Sequence, residues 1–100
     1  MGYTLAVIRN FRNRLTQQVF DREPVRGLSI ELQRAARRKL LLIQHAGRLD
    51  DLKVPPGNRL EMLKGDRKGQ FSIRVNDQWR ICFRWSGNDA HDVELVDYHG

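Results

Sequence analysis

The 100-residue sequence has little cysteine and no long hydrophobic run, and each shortage excludes a class of protein. Its only cysteine, Cys82, has no partner for an internal disulfide, which excludes a disulfide-stapled scaffold. No apolar run approaches the ~20 residues of a membrane span, and the N-terminus lacks the apolar core of a signal peptide. These absences predict a cytoplasmic protein with no membrane partner, and the length predicts a single domain over residues 1–100.

Acidic residues are the minority, with 12 Asp and Glu against 18 Lys and Arg, a net charge of +6 and an isoelectric point near 10.2. Most of the basic residues are arginine, whose planar guanidinium can bind phosphate through two parallel hydrogen bonds. A positive field attracts nucleic acid, but it favours an acidic protein partner equally. The charge alone leaves both kinds of partner open.

The first half of the chain predicts a strand and two helices. Residues 5–11 are rich in β-forming types, and a short helix is expected over Thr16–Phe20. A longer helix is expected over Ser29–Ala46, because Ser29 is a good N-cap and one face is apolar at helical spacing. That face consists of Leu32, Ala36, Leu40 and Ile43. The proline-rich segment from Asp50 to Asn58 then predicts a linker that is neither helix nor central strand.

The second half of the chain changes to a period of two residues, which is typical of strands. Apolar residues alternate with polar ones on both sides of a turn at Asn76-Asp77-Gln78, which predicts a hairpin with one apolar and one basic face. A second turn is expected at Ser86–Asp89, with His91 in a turn and the last strand over Val93–Tyr98. Together with the helices, this pattern predicts an α+β, two-layer sandwich with helices on a mostly antiparallel sheet.

The basic face of the hairpin carries Arg74, Arg80 and Arg84, whose guanidinium groups can converge on a phosphate. Antiparallel sheets also often carry polar residues on a solvated outer face, so that interpretation stays open. The loop from Lys64 to Gly69 carries the cations Lys64 and Arg67, and its two glycines, Gly65 and Gly69, allow close backbone approach to a ligand. An ordinary surface turn has the same composition.

The C-terminus contains Asp97-Tyr98-His99, in which a histidine that titrates near neutrality adjoins a tyrosine and a carboxylate. It is either an acid–base cluster or a frayed tail. RNA cleavage without a metal needs a base for the 2′-hydroxyl proton, an acid for the 5′-oxygen and cations for the phosphorane. The candidate residues supply all three, and the cysteine and histidines fit no zinc spacing, so no metal or other cofactor is expected.

The second half contains four distinctive stretches: Pro-Pro-Gly-Asn-Arg-Leu-Glu from Pro55, Leu-Lys-Gly-Asp-Arg-Lys-Gly from Leu63, Ser-Ile-Arg-Val-Asn-Asp-Gln-Trp-Arg-Ile-Cys-Phe from Ser72, and the closing Val-Asp-Tyr-His. These stretches resemble the plasmid-maintenance killer proteins, the HigB-type toxins of the RelE/ParE superfamily. The resemblance implies a RelE-like fold and ribosome-dependent mRNA cleavage without a metal. It also implies a toxin–antitoxin hetero-oligomer with a helix-turn-helix, HigA-like antitoxin, and contacts with the ribosomal RNA.

Carried over by position, the resemblance implies catalytic roles for His99 and Tyr98 with support from Asp97. It implies phosphate stabilisation by Lys64 and Arg80 with help from Arg74, and the basic residues Arg67 and Arg84 are further phosphate-binding candidates. Glu61 stands where some HigB toxins have a second histidine. A glutamate can act as a base there, but it also repels phosphate.

Two other functions remain open at this stage. The ParE branch shares the fold but poisons DNA gyrase through protein contacts, for which a terminal Tyr98-His99 pair has no use. A non-enzymatic RNA- or ribosome-binding protein would keep the basic face and be indifferent to the loss of His99.

Overall fold

The structure, a computed structural model, describes residues 7–98. Two helices, α1 (Arg14–Phe20) and α2 (Ile30–Gln44), precede four strands, β1 (Glu61–Met62), β2 (Phe71–Arg74), β3 (Trp79–Ser86) and β4 (Asp89–Asp97). The strands form one antiparallel sheet in the order β1-β2-β3-β4. Both helices contribute to the core that the sheet buries, so the predicted α+β sandwich is confirmed. Within residues 7–98, no helix is long and apolar enough to cross a membrane.

Both helices begin at side-chain caps. The Asn13 carboxamide oxygen accepts a hydrogen bond from the Thr16 amide at 3.0 Å, and the Ser29 hydroxyl accepts one from the Leu32 amide at 3.0 Å. Helix α2 buries the apolar face predicted for it. It ends at Gln44 rather than Ala46, and a ring nitrogen of His45 lies 2.8 Å from the Leu41 carbonyl.

The β2–β3 hairpin has the predicted register. Ile73 pairs with Ile81 and Arg74 with Arg80, and both isoleucine side chains are fully buried against the helices. The Asn76 side chain closes the turn by accepting hydrogen bonds from the amides of Gln78 and Trp79, both at 2.8 Å. The apolar face is therefore the inner face, and the basic face points away from the helices.

Strand β4 begins earlier than the sequence indicates. Gly87 and Asn88 have φ values of 60° and 64°, so they form a two-residue turn and Ser86 pairs directly with Asp89. The predicted last strand, Val93–Tyr98, is therefore too short at its start. The position of His91 was wrong as well, because this residue lies within β4 and not in a turn.

The predicted N-terminal strand is only partly present among the described residues. From Val7 onward the chain runs parallel to β4, but it pairs with that strand through isolated bridges, Ile8 with Ala90 and Phe11 with Val93. Between them Asp92 has a φ of 51°, and its amide donates to the Asn10 side chain at 3.0 Å. This irregularity in β4 interrupts continuous pairing.

The predicted linker contains two short 3₁₀ turns, Leu49–Lys53 and Pro56–Asn58. The buried Asn58 side chain organises it by donating to the carbonyls of Leu52 at 3.1 Å and Val54 at 3.2 Å. Its carboxamide oxygen accepts a hydrogen bond from Lys39 on α2. Asn58 thereby fixes the chain just before Arg59, whose carbonyl takes part in the site described below.

Candidate functional site

The outer face of the sheet carries a row of side chains that crosses all four strands. Glu61 pairs with Ser72, Ser72 with Cys82, and Cys82 with Glu94, so this row has a carboxylate at each end. Each carboxylate lies near the guanidinium of an arginine, Glu61 near Arg80 and Glu94 near Arg67. We call this row with its two arginines the cross-strand row.

Arg80 is the least exposed of the charged side chains in the cross-strand row, with only 11% of its side chain exposed. Its Nε donates to the Ser72 hydroxyl at 2.7 Å, and its Nη2 donates to the Arg59 carbonyl at 2.7 Å. The Glu61 carboxylate lies 3.8 Å from the same Nη2. Nη1 has no partner among the described residues, so a fixed cation presents free donors to a ligand.

Tyr98 lies against this cation. Its ring centroid is 5.9 Å from the Arg80 guanidinium carbon, a distance at which the ring face attracts a cation. The turn before β3 holds the end of β4 in place, because the Tyr98 amide donates to the Gln78 carbonyl at 2.6 Å. The Gln78 side chain also donates to the Asp97 carboxylate at 3.1 Å. Asp97 therefore sits beside the site as a residue that helps to hold Tyr98.

Arg67 reaches the other end of the cross-strand row from a 3₁₀ turn, Gly65–Arg67. Its Nη1 lies 3.2 Å from the Glu94 carboxylate and 3.1 Å from the Gln70 carboxamide oxygen. Burial raises the pKa of the Cys82 thiol between the two arginines; Arg67 and Arg80 oppose this effect, while Glu94 adds to it. The thiol is protonated and fully buried, and we assign it no chemical role.

Arg74, Arg80 and Arg84 share the outer face, and Arg74 lies directly opposite Arg80 across β2 and β3. Arg74 pairs with Asp77 in the β2–β3 turn, and the Arg84 Nε lies 3.5 Å from Asp92. Arg84 is also four residues along β3 from Arg80, about 13 Å at the usual strand rise. Each guanidinium is held by a different carboxylate, so the convergence of all three on one phosphate stays a prediction.

Lys64 is exposed at the start of its loop, and its side chain makes no hydrogen bond or ion pair among residues 7–98. The loop has the predicted backbone freedom, because Gly65 and Gly69 have φ values of 65° and 91°. His99 lies outside the described residues, and its role stays a prediction. No cluster of three His, Cys, Asp or Glu side chains in the described range is placed to hold a metal ion.

Sequence reasoning missed the residues that position the site, namely Ser72, Gln78 and Glu94. Ser72 and Glu94 alternate with apolar residues on β2 and β4, which could have placed them on the outer face beside Arg80. Gln78 gave no comparable signal, because its role depends on two segments that meet only in the folded chain.

Comparison with known proteins identifies the family. A family model for the RelE-like toxin of the type II toxin–antitoxin system HigB matches residues 9–99. The chain belongs to this family. The predicted resemblance to HigB-type toxins is therefore confirmed.

Two curated proteins of this HigB family are similar over most of the chain. Toxin HigB-1 of Vibrio cholerae serotype O1 is 40% identical over 86 residues, covering 85% of this chain and 90% of its own length. Endoribonuclease HigB of Proteus vulgaris is 29% identical over 93 residues, covering 93% of this chain and all of its own length. The match extends into the N-terminal half, where the sequence motifs were weakest.

Among solved structures, the YoeB-YefM complex from Staphylococcus aureus contains a chain with a similar fold. The TM-score is 0.58 at 15% identity, and the match covers 99% of this chain and all of that chain. At this identity the likeness supports the fold alone.

Proposed function

We propose that this HigB-family toxin cleaves mRNA on the ribosome by acid–base chemistry without a metal. Family membership and a relative named Endoribonuclease HigB make the chain an endoribonuclease; the ribosome, the mechanism and the residue roles are the proposed part. The observation that carries the mechanism is the arrangement around Arg80, where a buried cation with free donors adjoins a carboxylate and an aromatic ring.

In the proposed reaction, the 2′-oxygen of a nucleotide attacks the phosphorus of the adjacent 3′-phosphate, and the bond from that phosphorus to the 5′-oxygen of the next nucleotide breaks. Arg80 stabilises the charge that develops on the phosphorane, and Lys64 and Arg67 add positive charge from the loop. Tyr98 stacks on a base, in the way aromatic side chains hold unstacked RNA. Arg74 and Arg84 contact the RNA backbone farther along the face once phosphate replaces their carboxylate partners.

His99 and Glu61 carry the two proton transfers of this proposal. Glu61 is 55% exposed and its carboxylate lies 3.8 Å from Arg80, so it can accept the 2′-hydroxyl proton beside the bound phosphate. His99 then protonates the 5′-oxygen that leaves. Asp97 supports His99 and Tyr98 by holding the end of β4 through Gln78.

Dependence on the ribosome follows from how open the site is. Glu61 and Tyr98 are exposed on a sheet face, and cleavage requires the reacting groups to be held close to their final geometry. A ribosome that holds mRNA in a fixed path supplies this alignment. The toxin is then a cytoplasmic protein, held in a hetero-oligomer by a helix-turn-helix, HigA-like antitoxin until it is released.

The test measures cleavage of a defined mRNA in a reconstituted translation system by primer extension. His99→Gln and Glu61→Gln should each lower the rate by about 10²–10⁴-fold, the usual contribution of a proton-transfer group. Tyr98→Phe should lose less, because its ring still stacks. His45→Gln is the matched control, since His45 is an exposed histidine at the end of α2.

An mRNA with a single 2′-deoxynucleotide at the cleaved position should resist the toxin. Equal cleavage of this message would contradict attack by the 2′-oxygen, and equal cleavage of free mRNA would contradict ribosome dependence. Full activity of both His99→Gln and Glu61→Gln would remove the acid–base assignment.

A further inference from the structure

A groove of about 440 Å³ lies between α1 and α2, on the side of the molecule away from the cross-strand row. Val19 and Ile30 contribute its apolar part, and Ile30 is 65% exposed although it is an aliphatic residue. The rest of the lining is Gln33 and four arginines, Arg22, Arg34, Arg37 and Arg38. None of the proposed catalytic residues takes part in it.

The arginines of the groove are not neutralised by the acidic residues near them, which include Glu31, three residues before Arg34 on α2. None of the four makes an ion pair among the described residues, although Asp21 and Glu23 follow α1 directly. Arg34 and Arg38 are four residues apart on α2 and so lie on one helix face, where like charges repel. The groove thus combines one exposed aliphatic side chain, Ile30, with arginines that form no ion pair among the described residues.

The walls of the groove are fixed before any partner binds. Arg37 Nε donates to the Phe20 carbonyl at 3.0 Å and so connects α2 to the end of α1. The Gln33 side chain donates to the carbonyls of Leu28 at 2.8 Å and Val25 at 3.2 Å, and it accepts from the Val25 amide. A preformed groove loses little conformational entropy on binding.

We propose that this groove binds an acidic amphipathic segment of the antitoxin, whose apolar side chain covers Ile30 while carboxylates pair with Arg34 and Arg38. The proposal rests on the antitoxin partner of the proposed function and adds where and through which chemistry it docks. A second copy of this chain fits poorly, because each copy carries a net charge of +6. RNA also fits less well, because the lining has no aromatic side chain for base stacking and its apolar part offers nothing to phosphates.

The experiment titrates the full-length toxin with the antitoxin produced from the neighbouring reading frame and measures Kd by calorimetry. Arg34→Glu combined with Arg38→Glu should weaken binding at least tenfold, and the loss should shrink as salt is raised. Arg48→Glu combined with Lys53→Glu is the charge-matched control on an exposed 3₁₀ turn and should leave Kd unchanged. Ile30→Ser should weaken binding about tenfold, whereas Leu42→Ser, at an exposed leucine on the same helix, should not.

Circular dichroism and thermal midpoints confirm that each variant is folded. If the groove variants bind the antitoxin as tightly as their controls, the groove is not the docking site. If they keep the antitoxin Kd but lose affinity for purified ribosomes, the groove binds RNA, and the proposal is equally overturned. Failure of mRNA cleavage by the parent toxin would contradict the proposed function, but it would leave these binding differences intact.

Discussion

Arginines beside the sheet and arginines on the helical side of this molecule have different surroundings. Beside the sheet, six arginines have a carboxylate oxygen within 4.0 Å, and Arg59, just before β1, is an exception among the described residues. The six are Arg9, Arg12, Arg67, Arg74, Arg80 and Arg84. On the helical side, no ion pair within residues 7–98 involves Arg14, Arg22, Arg26, Arg34, Arg37 or Arg38. The acidic residues are thus concentrated where the site lies, which is unexpected for a surface that is proposed to bind phosphate.

Paired and unpaired arginines serve different purposes. Exposed ion pairs add little stability, but they restrict where a guanidinium points, and catalysis depends on direction. Unpaired arginines keep their full field, which acts over about one Debye length, near 8 Å at physiological salt. The sheet side is therefore organised for geometry and the helical side for attraction, and the following predictions test this separation.

The largest effect is expected for a matched pair of isoleucines, one on each side. Ile81→Ala removes a fully buried side chain from β3 and should lower the free energy of unfolding by about 2–5 kcal/mol. Ile30→Ala changes an exposed residue at the start of α2 and should stay within about 0.5 kcal/mol. Chemical denaturation of both variants measures the contrast, and similar losses would mean that Ile30 is packed in solution.

Arg80→Ala should reduce mRNA cleavage about 10²–10³-fold, the usual cost of removing a fixed donor from a developing charge. Its unpaired counterpart, Arg26→Ala, should cleave at the parent rate. The alanine variant also leaves the Ser72 hydroxyl and the Arg59 carbonyl without their donor, so Arg80→Lys is the second test. Lysine keeps the charge but not the fork, and it should fold with a large loss of activity; parental activity would refute the geometric role.

Arg67→Ala should have a smaller effect on cleavage, about tenfold, because Arg67 is less restrained and reaches the row from a loop. Lys68→Ala is the control, since it removes an exposed positive charge from the same loop. Equal losses in the two variants, measured in the same translation system, would show that the loop supplies charge without direction.

The smallest effect concerns Cys82, which reports on the field of the paired arginines. Its pKa is raised in the folded protein, so its contribution to stability is fully present below the ordinary thiol pKa and is lost as the pH rises through the raised value. The difference in unfolding free energy between the parent and Cys82→Ala should therefore shrink above about pH 8.5. Because Arg67 lowers the folded pKa of Cys82, the shrinkage should begin at the same pH in an Arg67→Ala background but extend to higher pH.

The unfolding free energy of the parent must be compared with that of Cys82→Ala, because Lys39 changes the pH dependence of stability in the opposite direction. Burial, with smaller effects of Arg38 and Arg74, lowers the pKa of Lys39, so its contribution to stability grows as the pH rises through that lowered value. Both proteins contain Lys39, and its contribution cancels. A pH-independent difference would mean that the Cys82 environment is not maintained in solution.

The sequence predicted the parts of the fold that depend on periodicity. Ile73 and Ile81 marked the inner face correctly, because a period of two fixes which residues of a strand share a side. The start of β4 was wrong because residue type alone did not show that Gly87 and Asn88 both take positive φ. The N-terminal strand was overestimated because the interruption arises at Asp92, some 80 residues away along the chain.

For the site, the sequence predicted residue types better than contacts. Arg80, Arg67 and Glu61 were named, but not that Arg67 and Arg80 meet the carboxylates at the two ends of the cross-strand row. That arrangement depends on a 3₁₀ turn at Gly65–Arg67 and on which carboxylate each arginine meets. Neither follows from alternation, because both depend on loop conformation.

The two edges of the sheet also limit how this toxin can associate with other chains. On one side the sheet ends in β1, which has only two residues, one of them the charged Glu61. On the other side, the segment from Val7 to Arg12 covers β4 and uses backbone groups of Ala90 and Val93. A short, charged edge and a covered edge are poor templates for strand addition, the first step of many β-aggregates. The protein should therefore stay dispersed at high concentration and recognise its partners through side chains rather than by extending its sheet.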